Sequence, residues 1–426
     1  APAHVPAWLA LADAFKALGM PQAAWECQKT AVELQPQNPA LLCSKIHLAL
    51  EAAHWAEVDA DCVRLTTLLE QGRAPAPIPF MHLSVPGATA AQHLYSARAF
   101  AQGATARIVP FVATSEKRRA GRLRIGYLSN DFHEHATAYL LAGVLERHDR
   151  DRFEVFAYSY GPDDGSPMRA RLKQAVEHFV DIREESARAS AERIRRDGID
   201  VLIDLKGYTL HARTEILAYR PAPVQAQFLG YPGSMGADFI DYAIVDRVVA
   251  PPEHAPHFSE RLAYLPHSYQ PNDDRRPLPP APPRSECGLP EQAFVFCCFN
   301  NTYKITPQMF DLWCRLLARA PGSVLWLLDA NLEAQKNLRR EAAARGIDPQ
   351  RLIFAPKRPY AEHLARLRNA DLFLDTLPYN AHTTASDALW AGVPLVTCPG
   401  ETFASRVAAS LLHAAGLPEL IAPSLE

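Results

Sequence analysis

From residue 121 to the end, the chain alternates short apolar runs with stretches of helical spacing, and no other feature constrains its fold as much. Residues 123–128, 153–158, 201–205 and 224–229 read as strands, with helical spacing at 137–148, 168–178, 187–197 and 213–219 between them. Apolar runs this short, without polar alternation, are strands buried on both faces, and βαβ order makes such strands parallel. A second series has strands at 294–299, 324–328, 352–355, 372–374 and 395–397. Its helices fall at 309–319, 332–345, 361–369, 386–391 and 404–415. Between the two series lies 271–290, PNDDRRPLPPAPPRSECGLP, too rich in proline for a helix interior or a central strand. The expected class is α/β: two Rossmann-like doubly wound domains, at 121–270 and 291–426, joined by a Pro-rich crossing.

Residues 1–72 are rich in Ala and Leu with almost no glycine, and read as all-α. Trp8, Leu11, Ala12, Phe15, Ala24, Ala31 and Pro36 stand at the offsets of a tetratricopeptide helix pair. A shift of about 34 residues finds a weaker copy in Leu42, Ala49 and Leu65. A plain helical bundle is the alternative. Two such pairs are too few to stand alone, so they are expected to extend a longer array or to dock on the next domain. Residues 73–120 read as a helical connector, with Thr89 as a helix cap.

A net charge of −3 over 426 residues gives no case for nucleic acid or an anionic membrane as partner. No run approaches the roughly 18 apolar residues of a spanning helix, and no charged stretch followed by an apolar core opens the chain. Neither a membrane anchor nor a signal peptide is therefore expected. The eight cysteines form no CxxC pair and several sit in apolar runs, which fits reduced thiols in a cytoplasm. The chain closes on Pro423-Ser424-Leu425-Glu426, a cap and first turn without its helix, so a further segment is expected beyond it.

Ligands of doubly wound sheets bind at the carboxyl ends of the strands. The residues there are mostly cations and hydrogen-bond donors: Asp131, His133 and His135; Lys206, Tyr208 and Arg213; Asn300, Asn301, Tyr303 and Lys304. Lys357, Arg358, His363 and Arg366 follow, then His382, Thr383, Thr384 and Asp387. Such a set suits an anion. In 375–386, DTLPYNAHTTAS, a strand stops at Asp375 and hydroxyl residues precede the next apolar-periodic run. That is the signature of a helix N-terminus, whose free N–H groups and dipole suit a phosphate or diphosphate. An ordinary capped strand–loop–helix is the alternative there. The absence of G-x-G-x-x-G and of a P-loop lysine argues against a dinucleotide redox enzyme or a P-loop NTPase. Asp131, His133 and His135 alternate, so on an extended segment they would share a face. HExxH is absent, however, and the Asp59/Asp61 and Asp149/Asp151 pairs lie away from strand ends, so no metal is expected.

The motifs RIGYLSNDF, GYTLHAR, RPAPVQAQFLGYPGSMGA, FNNTYKITP, NAHTTASDALWAGVPLVT and PGETFASRVAAS are long and specific. Through them the chain, from about residue 123 to its end, resembles the nucleocytoplasmic protein O-GlcNAc transferases, in a bacterial version. The resemblance implies a GT-B fold and UDP-GlcNAc as donor, without metal or other cofactor. It implies inverting transfer to Ser or Thr hydroxyls of a protein or peptide acceptor, docked along the helical repeats. By the same resemblance Lys304 holds the diphosphate with Thr383 and Thr384, Asn301 lies near the phosphates, and Asp387 takes the ribose. His363 and Arg366 flank the uridine, and His382 and Gly230 approach the sugar. His135 and Asp131 match residues proposed to handle the acceptor's proton. The alternatives are a relative using another donor, such as GDP-fucose, and a helical adaptor with an idle transferase lobe. The sequence departs from animal members in its short helical array, its lack of a long insertion between lobes, and Tyr360 where a lysine contacts the nucleotide. Chemistry alone gives His135 and Lys304 compatible parts. An imidazole with an ordinary pKa near 6.5 can activate a hydroxyl, and an ammonium stabilises a departing diphosphate.

Overall fold

A computed structural model describes residues 4–112 and 121–426. Residues 1–3 of the expected helical region and 113–120 of the expected connector lie outside the described residues. The chain divides into two compact units, one of Ala1–Gln92 with Pro277–Glu426 and one of His93–Arg276.

The unit His93–Arg276 is built on a seven-stranded sheet. Its strands are β1 (Leu123–Ser129), β2 (Phe153–Ser159), β3 (His178–Asp181), β4 (Val201–Asp204), β5 (Val224–Gln227), β6 (Tyr242–Val245) and β7 (Arg261–Tyr264). All pair in parallel, in the order β3-β2-β1-β4-β5-β6-β7. Val155, Leu128 and Leu202, on the adjacent inner strands β2, β1 and β4, are almost fully buried. Each such side chain contributes about 1.5–3 kcal/mol relative to exposure, so the centre of the sheet carries the core. Three strands differ from the sequence reading. The helix expected over 168–178 ends at Gln174, and His178 opens the edge strand β3. The strands β6 and β7 were not expected at all. β3 and β7 lie half-exposed at the edges and lack an uninterrupted apolar run, whereas β6 is a short apolar run, Tyr242–Val245, that the reading passed over.

The unit also begins earlier than 121. The helix Ala90–Thr105 starts with a reciprocal cap, in which Thr89 Oγ1 accepts from Gln92 N and Gln92 Oε1 accepts from Thr89 N. Phe100 then packs edge-on against Tyr208, with ring centroids 4.9 Å apart. Phe111 N donates to Tyr219 O at 2.8 Å. The described part of the expected connector from His93 onward is thus tied to this sheet by packing that the spacing of its apolar residues does not show, while residues 73–92 belong to the other unit.

The other unit has a five-stranded parallel sheet in the order β10-β9-β8-β11-β12. Its strands are β8 (Val295–Cys298), β9 (Val324–Leu328), β10 (Leu352–Ala355), β11 (Leu372–Leu374) and β12 (Leu395–Val396). The N-terminal helices Val5–Ala17, Pro21–Leu34, Pro39–Glu51 and Val58–Glu70 belong to this same unit. Proline at the first position starts the second and third of them, and Asn38 caps the third by accepting from Leu41 N. At the other end of Pro39–Glu51, carbonyls that a helix leaves without partners are taken up by another element. Asn331 Nδ2 donates to Glu51 O at 3.2 Å, and Asn337 Nδ2 to Ala52 O at 2.8 Å. Trp55 packs on Phe310 with centroids 5.3 Å apart. These helices therefore dock on helices that flank the C-terminal sheet.

Candidate functional site

Each sheet has one point where the strand order reverses, between β1 and β4 in one and between β8 and β11 in the other. The loops leaving two such neighbours diverge and open a crevice at their carboxyl ends. Most of the candidate residues follow the strands at these two points, whereas Gly230 follows β5 and His363 and Arg366 lie on the helix Tyr360–Leu367 after the edge strand β10.

After β8, Asn300 and Asn301 lead into a single 3-10 turn, Thr302–Lys304. After β11 comes the loop Asp375–His382, and then the helix Thr383–Trp390. Asp375 organises this loop from inside. Its Oδ1 accepts from Thr376 N and Ala381 N, and its Oδ2 accepts from Thr397 Oγ1. Burial pushes its carboxyl up to about 6 against those donors. Lys304 is 8 % exposed and donates from Nζ to Asn380 O at 2.8 Å. The same Nζ sits 3.7 Å from the centroid of the Tyr379 ring. Burial pushes the Lys304 ammonium down to about 7, with Asp375 pulling the other way. No carboxylate lies within ion-pair distance of it among the described residues.

The helix begins at Thr383, three residues earlier than 386, so Thr383 and Thr384 form its first turn instead of preceding it. His382 takes the cap position without a side-chain cap bond. Its Nε2 donates to Ala404 O at 3.1 Å, and burial together with the Lys304 charge holds the ring well below its ordinary pKa. Thr384 Oγ1 donates to Asn300 Oδ1, and Asn300 Nδ2 donates to Thr376 Oγ1, which locks the two loops together. The Thr383 hydroxyl is half-buried with no protein partner among the described residues. A helix start, an open hydroxyl and a buried lysine thus converge, the donor set an anion needs. Asn301, at the cap of the 3-10 turn, is exposed.

Beside this cluster Asp387 is buried and accepts from Tyr360 Oη at 2.8 Å. A tyrosine thus occupies the expected lysine position and addresses the carboxylate on the next helix. His363 accepts at Nδ1 from the Arg366 guanidinium, and burial pushes its imidazole down to about 4. Arg366 lies over the Phe299 ring at 5.2 Å.

In the other unit the loops after β1 and β4 bring Asp131 and Lys206 together. Lys206 Nζ donates to both carboxylate oxygens, at 2.9 and 3.0 Å, and both side chains are almost fully buried. His135 Nδ1 lies 3.4 Å from Asp131 Oδ2 and also accepts from Thr137 N at 3.2 Å, capping the helix Ala136–Glu146. Burial lowers the His135 pKa while Asp131 raises it. The extended segment on which Asp131, His133 and His135 could face one way is not formed, although the His133 and His135 rings lie 5.7 Å apart. The segment is a bent loop, in which His133 turns to Asp164 (3.9 Å) while Asp131 turns to Lys206. Arg213 is used structurally, donating to Ile182 O and Glu185 O. Gly230 has a packing reason of its own, since a Cβ there would lie 2.1 Å from Leu205 O. Of the Asp-x-Asp pairs, Asp61 is engaged by Lys45 at 2.7 Å.

Sequence reasoning counted Lys206 only among the strand-end cations suited to an anion, and assigned no role to Asp375, Tyr379 or Asn380. All four sit in stretches it had marked, but Lys206 meets Asp131 across 75 residues and Lys304 meets Asn380 across 76, three strands further along the chain in each case.

Two parallel Rossmann-like sheets, each with its polar residues at the switch point, define the GT-B type of glycosyltransferase fold. A mutant of the Thermobaculum terrenum O-GlcNAc transferase shares it with a TM-score of 0.80, at 29% identity, over 100% of this chain and 81% of that one. The chain belongs to glycosyl transferase family 41, which it matches over residues 88–280 and 280–426. It is 44% identical over 319 residues to the probable UDP-N-acetylglucosamine–peptide N-acetylglucosaminyltransferase SEC of Arabidopsis thaliana, covering 73% of this chain and 33% of the relative. It is 33% identical over 414 residues to the UDP-N-acetylglucosamine–peptide N-acetylglucosaminyltransferase of Caenorhabditis elegans, covering 71% and 36%. The chain spans about a third of the length of these curated relatives. Among the described residues no helix is long and apolar enough to cross a membrane.

Proposed function

We propose that the protein transfers GlcNAc from UDP-GlcNAc to Ser or Thr hydroxyls of a protein or peptide, with inversion and without a metal. The observation that carries this reading is the buried Lys304, with no carboxylate at ion-pair distance among the described residues, beside the first turn of Thr383–Trp390. In the proposed reaction the diphosphate supplies the counter-charge that Lys304 lacks. Lys304, the Thr383 hydroxyl and the free N–H groups of the helix start then stabilise the charge that develops as the sugar leaves. Asp387, oriented by Tyr360, takes the ribose, and His363 and Arg366 flank the base. The helical repeats serve the acceptor.

His135 is assigned the acceptor's proton. As drawn, Nδ1 accepts from Thr137 N–H, which places the ring proton on Nε2. Working as a base at Nε2 requires the other tautomer, with Nδ1–H turned to Asp131 Oδ2. Asp131, whose two oxygens already accept from Lys206, orients this ring and does not itself take the proton.

Calorimetry of the protein with UDP, GDP and ADP, each with EDTA and with added Mg²⁺ or Mn²⁺, tests the donor and the metal together. UDP is expected to bind in EDTA. Binding of GDP alone would sink the donor assignment, and an absolute need for the cation would sink metal-free transfer. Mass analysis of a Ser/Thr peptide incubated with UDP-GlcNAc then tests the acceptor.

A further inference from the structure

The two protein contacts of the Lys304 ammonium, the Tyr379 ring and the Asn380 carbonyl, come from consecutive residues of one loop. That loop is braced by the N-terminal helices of the same unit. Phe80, on the short helix Pro79–His82, packs edge-on against both Tyr379 and Tyr303, with centroids 6.3 Å apart in each case. His47, on Pro39–Glu51, lies 4.9 Å from the Tyr303 ring, and Tyr303 directly precedes Lys304. Tyr303 and Tyr379 in turn lie 6.3 Å apart, and Tyr379 also faces the His382 ring at 5.0 Å. His47 is itself held, its Nδ1 3.2 Å from Ser84 Oγ, and burial keeps the ring neutral by lowering its pKa to about 4. A neutral stack can brace a tyrosine without placing a second cation beside Lys304.

We propose that Phe80 and His47 are positioning residues of the diphosphate site, fixing the Tyr303–Tyr379 pair on which the Lys304 ammonium rests. This assigns the helical region a share in nucleotide binding, apart from any part in docking an acceptor, and it rests on the proposed UDP site. Removing the Phe80 ring frees the Tyr379 rotamer and loosens both contacts of Lys304. A face-on cation–ring contact in a desolvated place is lost with its geometry.

The test is UDP affinity by calorimetry on the whole chain. Phe80→Ala is expected to weaken UDP about tenfold, Phe80→Leu to recover most of that loss, and His47→Gln to weaken it a few-fold. Val63→Ala, on an exposed face of Val58–Glu70, is expected to change nothing. In a Lys304→Met background Phe80→Ala should have no further effect, because the contact it supports is already gone. An equal loss in both backgrounds would mean general damage to the unit and would overturn the proposal, as would wild-type affinity in Phe80→Ala. If Phe80→Ala fails to fold, Phe80→Leu and His47→Gln in the two backgrounds carry the same comparison. A wild-type protein that binds no UDP overturns both this inference and the function it rests on. Normal wild-type binding with unaltered variants overturns this inference alone.

Discussion

Lys206 and Lys304 both follow a strand at the point where a parallel sheet reverses its order, and both are nearly buried, at 4 % and 8 % exposure. Lys206 has a carboxylate on it, with Asp131 accepting through both oxygens. Lys304 has a backbone carbonyl and a ring face, and burial pushes it down to about 7. The β1/β4 crevice therefore balances its charge internally and presents a half-exposed imidazole beside a fixed carboxylate. The β8/β11 crevice leaves a charge that an incoming anion would complete. Two switch points of the same topology thus differ in where their buried carboxylate is spent, Asp131 directly on Lys206 and Asp375 on the donors of its own loop.

The proposed base gives the largest expected effect. His135→Ala should lower kcat with a peptide acceptor by about 10²–10⁴-fold while leaving UDP affinity nearly unchanged. The acidic limb of the pH–rate profile should vanish with it, because that limb would report deprotonation of the base. Near-normal kcat with an unaltered profile would remove the base assignment and make the β1/β4 cluster purely structural.

The two lysines should separate most clearly in stability. Lys206→Met strands a buried Asp131 and should destabilise the protein by about 3–5 kcal/mol, with Asp131→Asn in addition restoring much of it. Lys304→Met removes a buried cation that has no carboxylate contact, so its Tm should stay level or rise, whereas kcat should fall about 10²–10³-fold. Equal losses of stability in the two variants, measured by thermal and urea unfolding, would break the comparison.

A smaller effect concerns pH. Below about pH 7 Lys304 is charged in the free protein, so UDP affinity is flat on its account. Above that, binding must take up a proton, and affinity should fall by up to about tenfold per pH unit until the raised pKa of the complex is reached. A terminal phosphate is already ionised above about pH 6, so the window from 7 to 8.5 isolates the lysine. Calorimetry at pH 8 in two buffers of different ionisation enthalpy measures the uptake directly, and an uptake of zero would contradict it. Smallest is Tyr360→Phe, which removes one donor to Asp387 and should weaken UDP by roughly two- to tenfold without affecting Tm.

Local sequence was enough for the parallel strands buried on both faces, because an uninterrupted apolar run ending in a polar turn has few other solutions. It was enough as well for the βα order and for placing Lys304, Thr383 and Thr384 after strands, although the helix begins at Thr383 and not at the expected 386. The short edge strands β3 and β7 escaped it, since four half-exposed residues carry no period. Strand order decided the rest. Lys206 and Asp131 are 75 residues apart, and Lys304 and the carbonyl of Asn380 are 76 apart. Their meeting depends on which strands become neighbours at each reversal, a long-range packing outcome that no local pattern encodes. The same holds for Phe80 and His47. Their residue types read as ordinary helix packing, and only the docking of Pro39–Glu51 against the C-terminal sheet's helices brings them to the tyrosines around Lys304.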